Sequence, residues 1–225
     1  MQRRTIAPRR NWQGTVESQG FPFHTAGLRP EGEIQSGTYW AEDAYYEFTS
    51  AQVDVLDDAT AELNARCLDA VDYICKDVEL LTRIGIRKEF HDYVIASWKR
   101  GDPSVYGRFD LAYDGTNAPQ LLEFNADTPT TLIETSVIQH HWREDVFGGD
   151  TSVDQFNSIH EKLIERWRGL AEQMSKGTPL YFLAVKNNLE EFATVEYLRD
   201  TCTQAGLATE FLFLDDLGWA SGNKR

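Results

Sequence analysis

Two short β-prone segments of the chain carry polar residues that could together bind a metal ion. Arg108 and Asp110 lie in the segment YGRFDLAY, and Glu123 and Asn125 lie in the segment QLLEFN. The loop between them, DGTNAP, is made of turn-forming residues, so the pattern predicts a β-hairpin. If the hairpin turns about the middle of this loop, Asp110 lies opposite Glu123 and Arg108 lies opposite Asn125.

These four side chains are expected on one face of the hairpin, because successive side chains of a strand alternate between its two faces. The apolar residues between them then point the opposite way into a core: Phe109, Leu111, Leu122 and Phe124. Carboxylate and amide oxygens suit Mg²⁺, whereas zinc or copper would call for His or Cys. The sequence therefore predicts Mg²⁺ on Asp110, Glu123 and Asn125, with Arg108 beside it for a phosphate.

A second interpretation of the hairpin stays open at this point. The polar face could be an ordinary solvated one, with an Arg–Glu or Arg–Asp pair across the two strands, since polar strand faces are common and pairing registers can slip. The next segment favours the metal site. A helix predicted to begin near Thr131 would aim free backbone N–H groups at an anion beside the hairpin.

Helical patterns flank the hairpin on both sides. Thr49 and Gln52 form a capping box ahead of apolar residues at helical spacing, which predicts a helix over about 50–75. Residues 93–98 fit either a strand or a helix. Thr131 and Glu134 suggest another capping box, ahead of a helix to about residue 142.

The other parts of the chain give contrasting signals. The first 43 residues mix Pro, Gly, Arg and single aromatics without a period, which predicts an irregular arm on the surface. A further helix is predicted from Asp154, with one apolar stripe: Phe156, Ile159, Leu163, Trp167 and Leu170.

The last quarter of the chain is predicted to form a strand, a helix and a strand, over about 180–185, 190–204 and 209–214. The first strand is expected to be buried on both faces, and Gly206 is expected at the C-cap of the helix. This βαβ pattern predicts the start of a parallel sheet.

Composition narrows the classes of function. The 225 residues include 36 acidic and 22 basic side chains, for a net charge of −14, which disfavours binding to nucleic acid or to a membrane surface. No run is apolar enough for a membrane span or a signal peptide. The three cysteines form no CxxC pair, which indicates reduced thiols and a cytoplasmic location. Neither a GxSxG elbow nor a GxGxxG or Walker A loop is present.

The segment from Tyr106 to Trp142, YGRFDLAYDGTNAPQLLEFNADTPTTLIETSVIQHHW, together with DQFNSIHEKLIERW and EEFATVEYLRDTCTQAGL, resembles the glutathionylspermidine synthase family of ATP-grasp carbon–nitrogen ligases. The likeness spans most of the chain, up to LDDLGW. It implies that ATP and Mg²⁺ are bound at the hairpin, with Asp110, Glu123 and Asn125 as metal ligands. It also implies that Arg108 contacts the transferring phosphate and that Arg108 and Asp110 serve ATP.

The resemblance also implies substrate residues. Thr128 and Thr130 match hydroxyl positions that hold the carboxylate region of a glutathione-like peptide, and Glu190 and Glu191 match acidic residues that bind the peptide and a polyamine-like amine. Acidic residues in the first turn of a helix are also favourable without any ligand, so a purely structural role of the two glutamates stays open. The implied reaction forms an acyl phosphate from ATP and the acid, and the amine then displaces phosphate.

The likeness also sets expectations about what the chain lacks. Nothing in it matches the amidase domain of bifunctional members, so it resembles the shorter, single-activity form. The expected architecture is α/β, with a hairpin-bearing ligase region over 1–178 and the start of a Rossmann-like pre-ATP-grasp unit over 179–225. The ATP-grasp fold is expected to be incomplete, because the chain stops before the family's ATP-gripping lysines and glycine-rich loop. The alternatives are a non-catalytic binding or assembly fragment and a Mg²⁺-dependent phosphohydrolase. A homodimer is left open.

Overall fold

The computed structural model describes residues 1–28, 34–36, 39–174 and 177–218. Trp219 and the rest of the predicted region 179–225 after residue 218 lie outside the described residues. The strands are β1 (Gln2–Thr5), β2 (Ala26–Leu28), β3 (Ile34–Ser36), β4 (Ala44–Glu47), β5 (Arg108–Ala112), β6 (Gln120–Asn125), β7 (Leu180–Ala184) and β8 (Thr209–Phe213). The helices are α1 (Trp12–Ser18), α2 (Ser50–Ile74), α3 (Val78–Arg83), α4 (His91–Arg100), α5 (Gln139–Phe147), α6 (Ile159–Ala171) and α7 (Leu189–Gln204). The fold is thus a mixture of helices and small sheets, as expected for an α/β class.

The chain divides into two compact units. The hairpin unit comprises residues 1–2 and 47–127, and the parallel-strand unit comprises residues 3–46 and those from 128 onward. The strands pair in four two-stranded sheets: β1 with β4, β2 with β3, β5 with β6 and β7 with β8. The predicted regions 1–178 and 179–225 stay a prediction about the domains of the enzyme.

Helix α2 of the hairpin unit begins where its sequence predicts. Thr49 caps it, with the backbone N–H of Gln52 donating to the Thr49 hydroxyl at 3.3 Å and the Thr49 N–H donating to the Gln52 side chain at 3.0 Å. Such reciprocal bonds satisfy two backbone donors that a helix start leaves without partners. The predicted capping box is confirmed, and residues 93–98, ambiguous in sequence, lie in helix α4.

Helix α2 and the hairpin expose apolar side chains to solvent. No residue of α2 is buried, and on the hairpin Leu122 is 69% exposed and Phe124 is 40% exposed. The Phe109 and Phe124 rings stack on each other with centroids 4.4 Å apart. The expectation that these residues point into a core is therefore wrong for the described part of the chain.

The parallel-strand unit contains the predicted βαβ arrangement. β7 and β8 pair in parallel, and α7 connects them. The helix ends at Gln204, and Gly206, just after the Ala205 C-cap, has a φ of +92°, a left-handed value that glycine adopts without a Cβ clash. Tyr181 in β7 is 54% exposed, so the prediction that this strand is buried on both faces is wrong.

The N-terminal region is part of the core and not a surface arm. Trp12 and Val16 of α1 and Phe21 and Phe23 after it are at most 8% exposed, and they cluster with residues far along the chain: Ile133, Ile138 and Ala193. The Phe21 and Phe23 rings meet edge to face at 4.6 Å. The prediction of an irregular surface arm is wrong, because these residues are buried by tertiary contacts that leave no period in the sequence.

One of two further predicted helix starts is confirmed and the other shifts. The helix predicted from near Thr131 begins at Leu132 and continues through a π-helical turn (Glu134–Ile138) into α5. Thr131 itself has a left-handed φ of +71°, unlike the extended backbone of an N-cap. The helix predicted from Asp154 begins only at Ile159. Phe156 has a φ of +46° and is 49% exposed, so it lies outside the apolar stripe of α6.

The cysteine side chains differ in burial. All three cysteines are free thiols, and Cys75 and Cys202 are buried. Burial raises the pKa of the Cys202 thiol to about 11, so this group is a neutral apolar side chain at physiological pH. Among the described residues, no helix is both long and apolar enough to cross a membrane.

Candidate functional site

The polar face of the hairpin forms in the predicted register. Arg108 pairs with Asn125 and Asp110 pairs with Glu123 in the antiparallel ladder of β5 and β6. Directly opposed residues have Cβ atoms about 4.5–5.5 Å apart, so the four side chains share one small area. Glu123 is exposed and the other three are half-buried, which leaves the face accessible to a ligand.

A β-bulge follows this face directly. The register shifts between Asp110 and Leu111, so that Leu111 pairs with Leu121 and Leu122 becomes the extra residue. Bulges bend the strand and re-aim neighbouring side chains, and they occur often next to active sites. The sequence gives no sign of it, because an uninterrupted apolar pair, Leu121 and Leu122, fits either register.

Arg108 and Asp110 form an ion pair along β5. The Arg108 Nε donates to Asp110 Oδ1 at 2.7 Å and one Nη donates to Oδ2 at 3.4 Å, with side-chain exposures of 28% and 41%. The pair lies within one strand, so it differs from the cross-strand pair of the alternative interpretation. A half-exposed pair of this kind contributes little to stability, so it leaves the carboxylate free to exchange partners when a cation binds.

The oxygens of this face fit a magnesium ion. Mg²⁺ is usually held by one or two carboxylates together with waters and substrate phosphates, and the cross-strand pair of Asp110 and Glu123 supplies two carboxylates. The Asn125 side-chain oxygen accepts from the Asp127 N–H at 3.3 Å and has a second lone pair available. The described ranges contain no cluster of three or more His, Cys, Asp or Glu that could form an all-protein metal cage, so substrate oxygens and water would complete the shell.

The hairpin turn is fixed to the start of α2. The Gln52 side chain, which also completes the capping box, donates to the Gly115 carbonyl at 2.8 Å. Gly115 has a φ of +85°, and a Cβ there would lie 2.6 Å from the Met1 nitrogen. Only glycine fits this position, and the turn in this way links the two hairpin strands to the longest helix of the unit. The sequence shows both residues but not their contact.

Asp114 organises the same turn and gives a pH-dependent prediction. Its carboxylate accepts from the backbone N–H groups of Asn117 at 2.7 Å and Thr116 at 2.8 Å, and these bonds lower its pKa to about 2. A depressed folded-state pKa means that the turn is stabilised above the unfolded value near 3.8 and loses this support as the pH falls toward 2.

We therefore expect carbonyl NMR to give a midpoint near pH 2 for Asp114, with faster amide exchange at Thr116 below it. Asp114→Asn, which keeps an acceptor oxygen but cannot titrate, is the control and should remove the pH dependence of that exchange. A midpoint at the ordinary value near 3.8 would contradict the assignment.

The predicted acid-binding hydroxyls begin the parallel-strand unit. Thr128 is exposed and Thr130 is half-buried, while Pro129 between them is buried. The π-helical turn starts four residues after Thr130. Their role, and the proposed helix N–H groups beside the hairpin, stay predictions.

Glu190 and Glu191 follow β7 at the carboxyl end of the parallel pair but have different surroundings. Glu191 accepts from the Val185 N–H at 3.0 Å and from the Asn188 side chain at 3.3 Å, and its own N–H donates to the Asn188 cap at 3.1 Å. Within the described residues, no bond of this kind engages the Glu190 carboxylate. Glu191 therefore holds the β7–α7 connection, while Glu190 is the one available to a ligand.

Lys186, which was not predicted as a site residue, lies at the same end of the β7–β8 sheet. Lys186 pairs with Asp216 at 3.3 Å and with Asp215 at 3.8 Å, and it lies over the Phe213 ring at 5.6 Å. These contacts link the loops that follow β7 and β8, where open α/β sheets place ligands. In the sequence, the only sign of this role is that Lys186 is a basic residue directly after the apolar segment LYFLAV.

Comparison with known proteins finds one matching family and several relatives. A family model described as glutathionylspermidine synthase preATP-grasp matches residues 3–225. A Haemophilus influenzae protein assigned provisionally as an acid–amine ligase is 39% identical over 190 residues, which are 83% of this chain and 47% of that protein. The bifunctional glutathionylspermidine synthetase/amidase of Escherichia coli is 30% identical over 200 residues, 88% of this chain and 31% of that enzyme.

A further relative matches a shorter stretch of the chain. The trypanothione synthetase of Crithidia fasciculata is 34% identical over 86 residues, which are 38% of this chain and 13% of that enzyme. The chain thus spans about half or less of the length of each of these relatives.

Proposed function

The chain belongs to the glutathionylspermidine synthase pre-ATP-grasp family, and we propose that it works as part of an ATP-dependent acid–amine ligase. The proposed reaction joins the carboxylate of a glutathione-like peptide to a polyamine-like amine. The observation that supports it most directly is the hairpin register, which opposes Asp110 to Glu123 and Arg108 to Asn125. One relative, the Haemophilus influenzae protein, is named for the same kind of bond formation, between an acid and an amine.

The hairpin residues have distinct roles in this proposal. Asp110, Glu123 and Asn125 would hold Mg²⁺, which when bound neutralises phosphate charge on ATP. Arg108, already beside this face, stabilises charge on the transferring phosphoryl group, as arginines do in other phosphoryl transfers. Its fork-shaped guanidinium can exchange Asp110 for phosphate oxygens without leaving the face.

The substrates are proposed to meet at residues of the parallel-strand unit. Thr128 and Thr130 orient the acid, whose carboxylate oxygen takes the γ-phosphoryl group of ATP with release of ADP. The amine nitrogen then attacks the acyl carbon, and phosphate leaves. Glu190, which is free of the loop contacts that occupy Glu191, attracts the cationic amine. The three free thiols are consistent with the cytoplasmic location predicted from sequence.

The architecture proposed with this function follows the family. The β7–α7–β8 segment is taken as the start of a Rossmann-like pre-ATP-grasp unit, and the hairpin as the metal arm of the ATP site. ATP would bind as co-substrate at the hairpin, together with protein groups equivalent to the part of the relatives that this chain does not match. A homodimer stays a prediction that sedimentation would test.

The proposal is tested by a coupled ADP-release assay with glutathione and a panel of amines that includes spermidine. The assay is run on this chain and on a chimera that adds the unmatched part of the Haemophilus influenzae relative. Release of ADP that needs both acid and amine supports the ligase. Release of phosphate that needs no amine would instead indicate a phosphohydrolase.

A binding or assembly role without catalysis is the second candidate. The observation in its favour is that the chain spans 47% of the Haemophilus influenzae relative, so that the aligned part alone carries only part of that enzyme. Calorimetric titration of Mg²⁺–ATP and of glutathione into this chain separates the two candidates. Binding of either without turnover in any form supports the second, and binding of neither contradicts both.

A further inference from the structure

The segment after the proposed acid-binding threonines is a π-helical turn, Glu134–Ile138. π-helices are rare and occur frequently at functional sites. Backbone and side-chain groups donate to carbonyls in and just before this turn. Thr135 donates to the Thr131 carbonyl through its N–H at 3.2 Å and its hydroxyl at 2.7 Å, Ser136 donates to the Leu132 carbonyl, and the Asn157 amide donates to the Thr135 carbonyl at 3.2 Å.

Glu134 in this turn is a buried acid held by a tyrosine from the N-terminal region. The residue is 8% exposed, and its Oε1 accepts from the Tyr39 hydroxyl at 2.9 Å. The Tyr39 ring packs on Phe21 and Phe23 at centroid distances of 6.0 and 6.2 Å. Burying a carboxylate is costly unless it is hydrogen-bonded, so a core of this kind holds Glu134 in one place.

The turn is also held by residues of α6 and α7. Tyr197 hydrogen-bonds to the Ser136 side chain, and its hydroxyl lies 2.9 Å from Nδ1 of His160. Burial raises the pKa of Tyr197, so the phenol stays neutral and keeps these bonds. The π turn therefore has fixed neighbours from three parts of the parallel-strand unit.

We propose that the Tyr39–Glu134 hydrogen bond positions the Thr128–Thr131 segment for the acid substrate, so that Tyr39 and Glu134 are positioning residues. The inference rests on the proposed function of Thr128 and Thr130. Only three residues separate Thr130 from Glu134, and within that stretch Thr131 is set in a left-handed conformation with its carbonyl bound by Thr135. A displacement of Glu134 is therefore expected to move the backbone of Thr130 as well.

The proposal is tested with Tyr39→Phe, which removes the hydroxyl and keeps the packed ring. Hydrogen exchange of the peptide over 128–139 is measured by mass spectrometry, and glutathione binding is measured by calorimetry. Because Tyr39→Phe removes this hydrogen bond, exchange in this peptide should be about tenfold faster and glutathione affinity about tenfold weaker. In the ADP-release assay the KM for glutathione should rise while the KM for ATP stays unchanged.

The controls separate positioning from general damage. Tyr45→Phe removes a hydroxyl that bonds to nothing within the described part of the same unit, and it should leave both measurements unchanged. Glu134→Gln keeps an acceptor for Tyr39 and should restore much of the binding that Glu134→Leu loses. If Glu134→Leu does not fold, Tyr39→Phe and Glu134→Gln still carry the test.

The outcomes are distinguishable from failure of the proposed function. Unchanged exchange over 128–139 in Tyr39→Phe overturns the inference, as does an equal effect of Tyr45→Phe. If the unaltered chain binds no glutathione but Tyr39→Phe still speeds exchange over 128–139, the hydrogen bond orders the segment and the assignment of Thr128 and Thr130 to the acid is wrong.

Discussion

Replacing Asp110 or Glu123 with alanine is expected to lower ligase turnover by about 10²- to 10³-fold, the usual effect of removing one preorganised group that stabilises transition-state charge. Each carboxylate is one half of a cross-strand pair on the accessible face of the hairpin. Without either one, the proposed Mg²⁺ keeps a single protein carboxylate and the phosphate charge is poorly neutralised. Turnover is measured by ADP release over a range of Mg²⁺ concentrations.

The controls for this prediction use the same unit of the protein. Asp58→Ala removes an exposed carboxylate from α2 and should leave turnover and its Mg²⁺ dependence unchanged. Asp110→Ala also frees Arg108 from its ion pair, whereas Glu123→Ala does not disturb that pair, so equal losses in both variants point to the metal and not to the arginine. Full turnover in both variants would show that the metal assignment is wrong.

The hairpin shows what a sequence can predict when local chemistry decides the structure. Its register follows from alternation and from turn residues that lie near one another in the chain, and Arg108, Asp110, Glu123 and Asn125 are opposed as predicted. The capping box of α2 is confirmed for the same reason, since Thr49 and Gln52 are three residues apart. Short-range rules need no knowledge of the rest of the fold.

The failures of the sequence prediction concern long-range packing. Trp12 and Phe21 look like isolated aromatics, yet they are buried against Ile133 and Ile138, more than a hundred residues away. The opposite error occurs on the hairpin, where alternation predicts a buried face and Leu122 is 69% exposed. Alternation identifies which residues share a face, but burial depends on what covers that face, and this information is distributed over the whole chain.

Among the candidate site residues, too, the sequence identifies local features but misses long-range contacts. Sequence and resemblance select Glu190 and Glu191 together, whereas the structure separates them, because Glu191 is bound by the backbone of Val185 and by Asn188. Tyr39 was not predicted as a site residue, since its contact with Glu134 joins positions 95 residues apart. A local motif cannot report such a pair.

A buried charge network in the parallel-strand unit gives the largest expected effect on stability. Glu42, with a side chain only 2% exposed, accepts from Arg9 Nε at 2.6 Å and from the Trp40 indole N–H at 2.7 Å. Arg9 is 11% exposed and also pairs with Asp145 at 2.7 Å. Burial alone would lower the pKa of Arg9, but hydrogen bonds to Glu42 and Asp145 raise it above its ordinary value, so the guanidinium keeps its charge.

Glu42→Ala is therefore expected to lower the free energy of unfolding by about 3–5 kcal/mol, because it leaves a buried guanidinium with half of its compensation and an indole N–H without its acceptor. The loss should lie toward the lower end of that range, since Asp145 still pairs with Arg9. Urea unfolding followed by tryptophan fluorescence measures it. Glu165→Ala, which breaks a pair with Lys162 in which both side chains are 71% exposed, is the matched control and should cost less than about 1 kcal/mol. Equal losses in the two variants would mean that the Arg9–Glu42 pair is not a buried support of this unit.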